Sequence, residues 1–137
     1  MFVATSRRML QLANVAAIGI GAALGAVFRW LLGLWLNQPY LSLPWGTLAA
    51  NFIGAYLIGL ALGALSLFPE VPVWLRLFFV TGFLGGLTTF STFSGESFGM
   101  LERGEYLTAL GYMGGSVAGC IALTAVGFVT VHALIKP

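Results

Sequence analysis

Gly82-Phe83-Leu84-Gly85-Gly86-Leu87-Thr88-Thr89-Phe90-Ser91-Thr92-Phe93-Ser94 decides how this chain is read. It lies in a segment that stays uncharged for 19 residues, Leu77–Gly95, long enough to cross a membrane. Yet it holds three glycines, five hydroxyl residues and two phenylalanines three apart. A helix that only faces lipid has no use for that mixture. Glycine weakens a helix and lets backbones approach closely. A hydroxyl in hydrocarbon needs a partner, because an unpaired polar group there costs several kcal/mol. The stretch reads as an interrupted membrane helix lining a polar path.

The rest of the composition agrees. Of 137 residues, 59% are hydrophobic and 7% charged, against roughly a quarter charged in a soluble domain. With a mean hydropathy of +0.98, such a chain cannot cover its surface against water. Its length allows one domain. The net charge of +2 includes no basic run beyond Arg7-Arg8, so nothing points to nucleic acid. The single Cys120 excludes an internal disulfide and a cysteine metal site, and reads as a small packing residue. His132 lacks a second His or a carboxylate at helical spacing and reads as an interfacial residue. With neither a nucleophile–base pair nor a metal cluster, an enzyme is not expected.

Four spans are expected, at about 12–36, 45–68, 73–100 and 106–134, in one domain over 1–137. The first eleven residues form a short positive tail. Arg7-Arg8 before an apolar run has the outline of a twin-arginine signal, but three further membrane segments follow it. Span one carries a Gly21/Gly25 pair suited to close helix contact. Its Arg29 lies about two turns from the end. Two readings of Arg29 stand open: it snorkels to the interface, or it faces a watery vestibule and attracts anions. Span two has one strong polar group, Asn51, on a face continued by Ala55, Gly59 and Gly63. An amide on a packing face must be bonded, so Asn51 is either an interhelical hydrogen-bond partner or a donor at a pore mouth. Glu96, near the end of span three, is the acidic group closest to a span's interior. Span four shows Gly111, Gly115 and Gly119 at intervals of four, a second tight packing face. One residue round from it run Tyr112, Ser116, Cys120 and Thr124, a polar stripe turned toward a partner helix.

Both termini then lie on one side. Arg7, Arg8, Arg76 and Lys136 stand there, against Arg29 and Arg103 on the other. That bias hardly fixes an orientation. A chain able to insert both ways could form an antiparallel homodimer.

The central stretch invites two chemistries. If Gly82, Gly85 and Gly86 break the helix, freed carbonyls need partners, and broken helices use such carbonyls on Na+. The alternative is a packing notch without an ion. Phe90 and Phe93 share a helix face, with Ser91 and Ser94 on the adjacent one. Ring edges are positive and hydroxyls donate, so both favour an anion without holding it as a full charge would. The alternative for the rings is plain packing.

At Gly85-Gly86-Leu87-Thr88-Thr89-Phe90-Ser91-Thr92-Phe93-Ser94 the chain resembles the Fluc fluoride channels, also called the CrcB family. Gly19–Trp30, with its glycines and Arg29, and Trp45–Asn51 resemble the family's first and second helices, so the likeness covers nearly the whole chain. It implies an all-α membrane protein of four transmembrane helices, the third broken, assembled as an antiparallel dual-topology homodimer with two fluoride pores. It implies that Asn51, Phe90 and Phe93 line the pore, with Ser91, Thr92, Ser94, Tyr112 and Ser116 as a polar track. Arg29 and Glu96 would lie in vestibules. A structural Na+ would be held at the dimer centre by the Gly85 and Thr88 carbonyls. The implied role is fluoride export across the prokaryotic inner membrane, down its electrochemical gradient and without ATP. A small dual-topology proton-coupled multidrug exporter also has four spans, but wants a glutamate inside the first helix, where this chain has none. A non-conducting membrane assembly subunit would explain the glycine faces but not Asn51 with the hydroxyls.

Overall fold

The computed structural model describes residues 2–37 and 43–135, residues 2–8 by backbone alone. The middle of the connection between spans one and two, and Lys136, lie outside the described residues. Every regular element described is helical. Four stretches are long and apolar enough to cross a membrane: Met9–Leu36, Trp45–Leu67, Val73–Glu102 and Tyr106–Leu134.

Helix α1 runs Phe2–Leu36 and α2 runs Trp45–Leu67. The expected N-terminal tail is thus the opening of α1. No glycine or proline occurs before Gly19, so nothing stops the helix there. The third span comes in pieces: α3 at Val73–Arg76, a π-helical stretch at Leu77–Leu84, α4 at Gly85–Leu87 and α5 at Phe90–Glu102. Gly104, at φ +76°, turns the chain into α6, Tyr106–Leu134. A side chain would strain that backbone. Arg103 Nε reaches Glu105 Oε1 at 2.8 Å across the same turn.

The break in span three is not at the glycines. Thr88 (φ −82°, ψ 152°) and Thr89 (φ −148°, ψ 123°) are the extended residues. Gly82, Gly85 and Gly86 all sit in helical turns. β-Branched threonine suits extended backbone, and both hydroxyls close a helix end. Thr88 Oγ1 donates to the Leu84 carbonyl at 2.9 Å. Thr89 Oγ1 accepts from the Thr92 N–H at 3.2 Å, capping α5.

Two of these glycines serve packing. A Cβ on Gly86 would overlap the Ala22 carbonyl oxygen of α1, and one on Gly82 would come 2.7 Å from the Ile18 oxygen. From the other side, side chains on Gly21 or Gly25 would overlap the Phe78 or Phe83 carbonyl. Span one and the first half of span three therefore touch backbone to backbone. Spans two and four do the same through Gly59 against Thr124 and Gly127 against Tyr56. The second small-residue face is only partly used. Gly119 packs on the Phe52 ring, but Gly111, Gly114 and Gly115 meet nothing within 4 Å. The expected tight face on span four is open at Gly111 and Gly115, while the close contacts of α2 with α6 fall farther on, at Gly119, Thr124 and Gly127.

Candidate functional site

The break is held from both flanks. On the α2 side, the Asn51 amide spans Thr89: Oδ1 accepts from the Thr89 N–H at 2.8 Å, and Nδ2 donates to the Thr89 carbonyl at 3.2 Å. Asn51 is therefore an interhelical bonding partner. One of its two N–H bonds is spent on Thr89, which leaves one for another acceptor. On the α1 side, Arg29 is half-buried, and its Nε donates to the Gly86 carbonyl at 3.1 Å. Neither reading offered by the sequence included that bond.

Beyond the break, α5 presents its side chains in two environments. Phe90 is 78% exposed, while Phe93 is 9% exposed and packs in a cluster with Met100, Ala109 and Tyr112. The two rings remain in contact, 5.6 Å between centroids, and Phe93 meets the Tyr112 ring at 5.3 Å. Ser91 and Thr92 turn back to the cap: Thr89 Oγ1 lies 3.3 Å from Ser91 Oγ and donates to Thr92 Oγ1 at 3.1 Å. Ser94 is exposed.

Glu96 joins three spans. Thr47 Oγ1 of α2 donates to Oε1 and the Tyr112 hydroxyl of α6 donates to Oε2, both at 2.7 Å. Short O–H···O⁻ bonds of this length are the strong, charge-assisted kind. Glu96 is thus the hub of a hydroxyl–carboxylate cluster between helices. Thr47 was missed, although it lies four residues before Asn51 and so shares its face.

The span-four stripe divides by partner. Tyr112 bonds Glu96, and Thr124 Oγ1 donates to the Ala55 carbonyl at 3.0 Å. Ser116, between them, is buried, and its Oγ is the only buried side-chain N or O among the described residues that lacks a hydrogen-bond partner. It lines an open cavity of about 550 Å³ together with Asn51, Thr88, Phe90, Phe93 and Gly85. Cys120 lines the same cavity. His132 has its Nδ1 3.1 Å from the Phe128 carbonyl oxygen and its Nε2 3.4 Å from Ser66 Oγ of α2. Among the described residues, no three His, Cys, Asp or Glu cluster as a metal site.

The cavity thus gathers the Ser116 hydroxyl, the Asn51 amide and the rings of Phe90 and Phe93 in a mainly apolar wall, and the Glu96 cluster stands apart from its lining. Residues 16–128 match the family model described as CrcB-like protein, Camphor Resistance (CrcB). The chain belongs to the CrcB family. Relatives of this CrcB chain carry the name fluoride-specific ion channel FluC. The Bordetella petrii protein is 63% identical over 121 residues, covering 88% of this chain and 93% of that one. The Bordetella pertussis protein is 57% identical over 123 residues, covering 90% and 94%. The Chromohalobacter salexigens protein is 56% identical over 122 residues, covering 88% and 92%. As a CrcB protein with four spans, the chain is a multi-pass membrane protein.

Proposed function

We propose that this chain is a fluoride-selective channel of the inner membrane, working as an antiparallel homodimer and catalysing no chemical step. One observation carries the reading: an unpartnered, buried Ser116 hydroxyl in the same cavity as Asn51, Phe90 and Phe93. A buried hydroxyl without a partner costs about 1–3 kcal/mol. A desolvated anion would accept its hydrogen bond and remove that cost.

Fluoride is small and holds its water strongly, so the path has to replace that water piecemeal. Ser116 Oγ–H and the free Asn51 N–H supply donors, and the edges of Phe90 and Phe93 supply partial positive charge. Farther along, the Tyr112 and Thr47 hydroxyls are engaged with Glu96. An ion moving past would compete with the carboxylate for those donors and could not settle there. Among the described residues no Lys or Arg side chain lines the cavity, so no cationic side chain holds the ion there. A larger anion gains less from donors set for short bonds. Flow follows the electrochemical gradient, which removes fluoride from the cytoplasm.

The dimer reading rests on what one chain leaves open. Phe90 is exposed, the cavity is open, and a Cβ on Gly111, Gly114 or Gly115 would meet nothing within 4 Å among the described residues. A second copy would close these surfaces. The weak charge bias across the membrane suits opposite insertion of the two copies.

The donor set also fits Na+. The Thr88 carbonyl receives no hydrogen bond from the described residues, and the Gly85 carbonyl none from outside its own helical turn. Both residues border the cavity. Neutral carbonyl oxygens suit a hard monovalent cation. A second copy would bring the same two carbonyls to the ion. When bound, the ion would supply a charge that pins the two breaks together, while Asn51 and Thr89 keep the local backbone in register.

The test is fluoride efflux from proteoliposomes, read with an ion electrode against a chloride control. Rapid fluoride loss with chloride retained is the expected result. Retention of fluoride by a well-folded protein would overturn the reading, and transport that needs a proton gradient would favour the exporter.

A further inference from the structure

The last turn before the break has carbonyls that a continuous helix would satisfy from the residues ahead. The Leu84 carbonyl is served twice, by the Thr88 N–H at 2.9 Å and the Thr88 hydroxyl. The Gly86 carbonyl would pair with the N–H of residue 90 in an unbroken α-helix. Extended backbone at Thr88 and Thr89 removes that donor. The Arg29 Nε–H takes its place, from a helix 57 residues earlier in the chain. The close approach of α1 at Gly21, Gly25, Gly82 and Gly86 brings the guanidinium there. Asn51 does the corresponding work for Thr89 from the opposite side.

We propose that Arg29 is a positioning residue: it fixes the start of the break by donating to the Gly86 carbonyl, and its contribution to ion flow comes from that donor and not from attracting anions. The Gly86 carbonyl is thereby engaged by α1, while Gly85, Thr88 and Thr89 border the cavity around the break. A cation at this helix end also suits the helix dipole, but that effect is the smaller one at a three-residue turn.

Side-chain chemistry separates donor from charge. In glutamine the amide nitrogen lies as many bonds from the backbone as Nε of arginine, without charge. Lysine keeps the charge but puts a methylene at that atom's place. Methionine has neither donor nor charge. The experiment compares Arg29→Gln, Arg29→Lys and Arg29→Met by fluoride efflux at low and high salt. Amide hydrogen exchange of residues 86–92 is measured on the same preparations.

The expected result is that Arg29→Gln keeps flux within about threefold of wild type and Arg29→Met loses about tenfold or more, as for a lost charge-assisted bond. Exchange at the break should rise in Arg29→Met and stay low in Arg29→Gln, and the differences should not depend on salt. If Arg29→Lys keeps flux while Arg29→Gln loses it, and the gap narrows as salt rises, the residue acts by its field and the proposal fails. Wild-type flux and exchange in Arg29→Met would equally overturn it. Should Arg29→Met not assemble, the Gln-against-Lys comparison still decides. The flux arm rests on the fluoride-channel reading. A wild-type protein without fluoride flux would sink that reading alone, and the exchange arm would still test Arg29.

Discussion

Gly86→Ala probes the contact that places the break. A Cβ there would overlap the Ala22 carbonyl oxygen and lie 3.0 Å from both the carbonyl carbon and Cα of the same residue. These are backbone atoms inside a helix and cannot rotate away. Ordinary van der Waals contact starts at 3.4 Å, so α1 and the third span must move apart. That movement lengthens the Arg29–Gly86 bond beyond its 3.1 Å and loosens the Gly82 and Gly25 contacts on the same seam. Overpacking of this kind costs about 1–3 kcal/mol, and losing the Arg29 bond adds about 1.5–3 kcal/mol. The sum, roughly 2.5–6 kcal/mol, is large beside an ordinary folding free energy. The assay is thermal unfolding in detergent, followed by intrinsic tryptophan fluorescence, with fluoride efflux in parallel. Gly86→Ala should unfold several degrees lower and lose most of its flux. Gly85→Ala is the control. A Cβ there meets nothing within 4 Å in a single chain, so it should leave the chain folded. If Gly85 faces a second copy, the same change should shift the dimer toward monomer. A Gly86→Ala protein as stable and active as wild type would refute the packing argument.

Ser116→Ala removes the unpartnered buried hydroxyl without changing a helix contact; flux should fall about tenfold, the worth of one hydrogen bond to an ion, while the unfolding midpoint stays level or rises. Phe93→Ile should sharply reduce fluoride flux and leave assembly intact, since the aliphatic side chain fills the cluster with Tyr112 and Met100 but has no positive edge; wild-type flux would take the ring out of the mechanism. Asn51→Leu strips both bonds from Thr89, so amide exchange at residues 88–92 should rise and flux should fall, and unchanged exchange would show that the break holds without Asn51. Dimer held in Na+-free medium should lose function slowly as the ion leaves; full flux with no Na+ detectable in the protein would refute the cation site.

Much of this molecule is legible from its sequence, because the bilayer allows few solutions. Four uncharged apolar runs become four spans, and the interruption of the third announces itself by residues that a lipid-facing helix would not carry. The location of the interruption was less legible. Glycine is the usual suspect for a broken helix, yet here Gly82 and Gly86 let α1 approach, and the threonines make the break. Thr89 followed three residues later by Thr92 was the signal, since a hydroxyl just before a helix is a cap. Arg29 and Glu96 show a different limit. Their partners are the Gly86 carbonyl, Thr47 and Tyr112, and no spacing rule in one helix says which carbonyl or hydroxyl another helix will present. The open glycines of span four mark the same boundary: Gly111 and Gly115 read as a packing face, and one chain supplies nothing to pack on it.

The central claim is passive, selective passage of fluoride, and a reversal potential tests it most directly. Channels would be fused into a planar bilayer with a tenfold fluoride gradient and symmetric chloride. The account predicts a reversal potential of about 59 mV in magnitude, with the sign of an anion and no response to an imposed pH gradient. A potential near zero under the fluoride gradient, or one that follows the pH gradient, would contradict it.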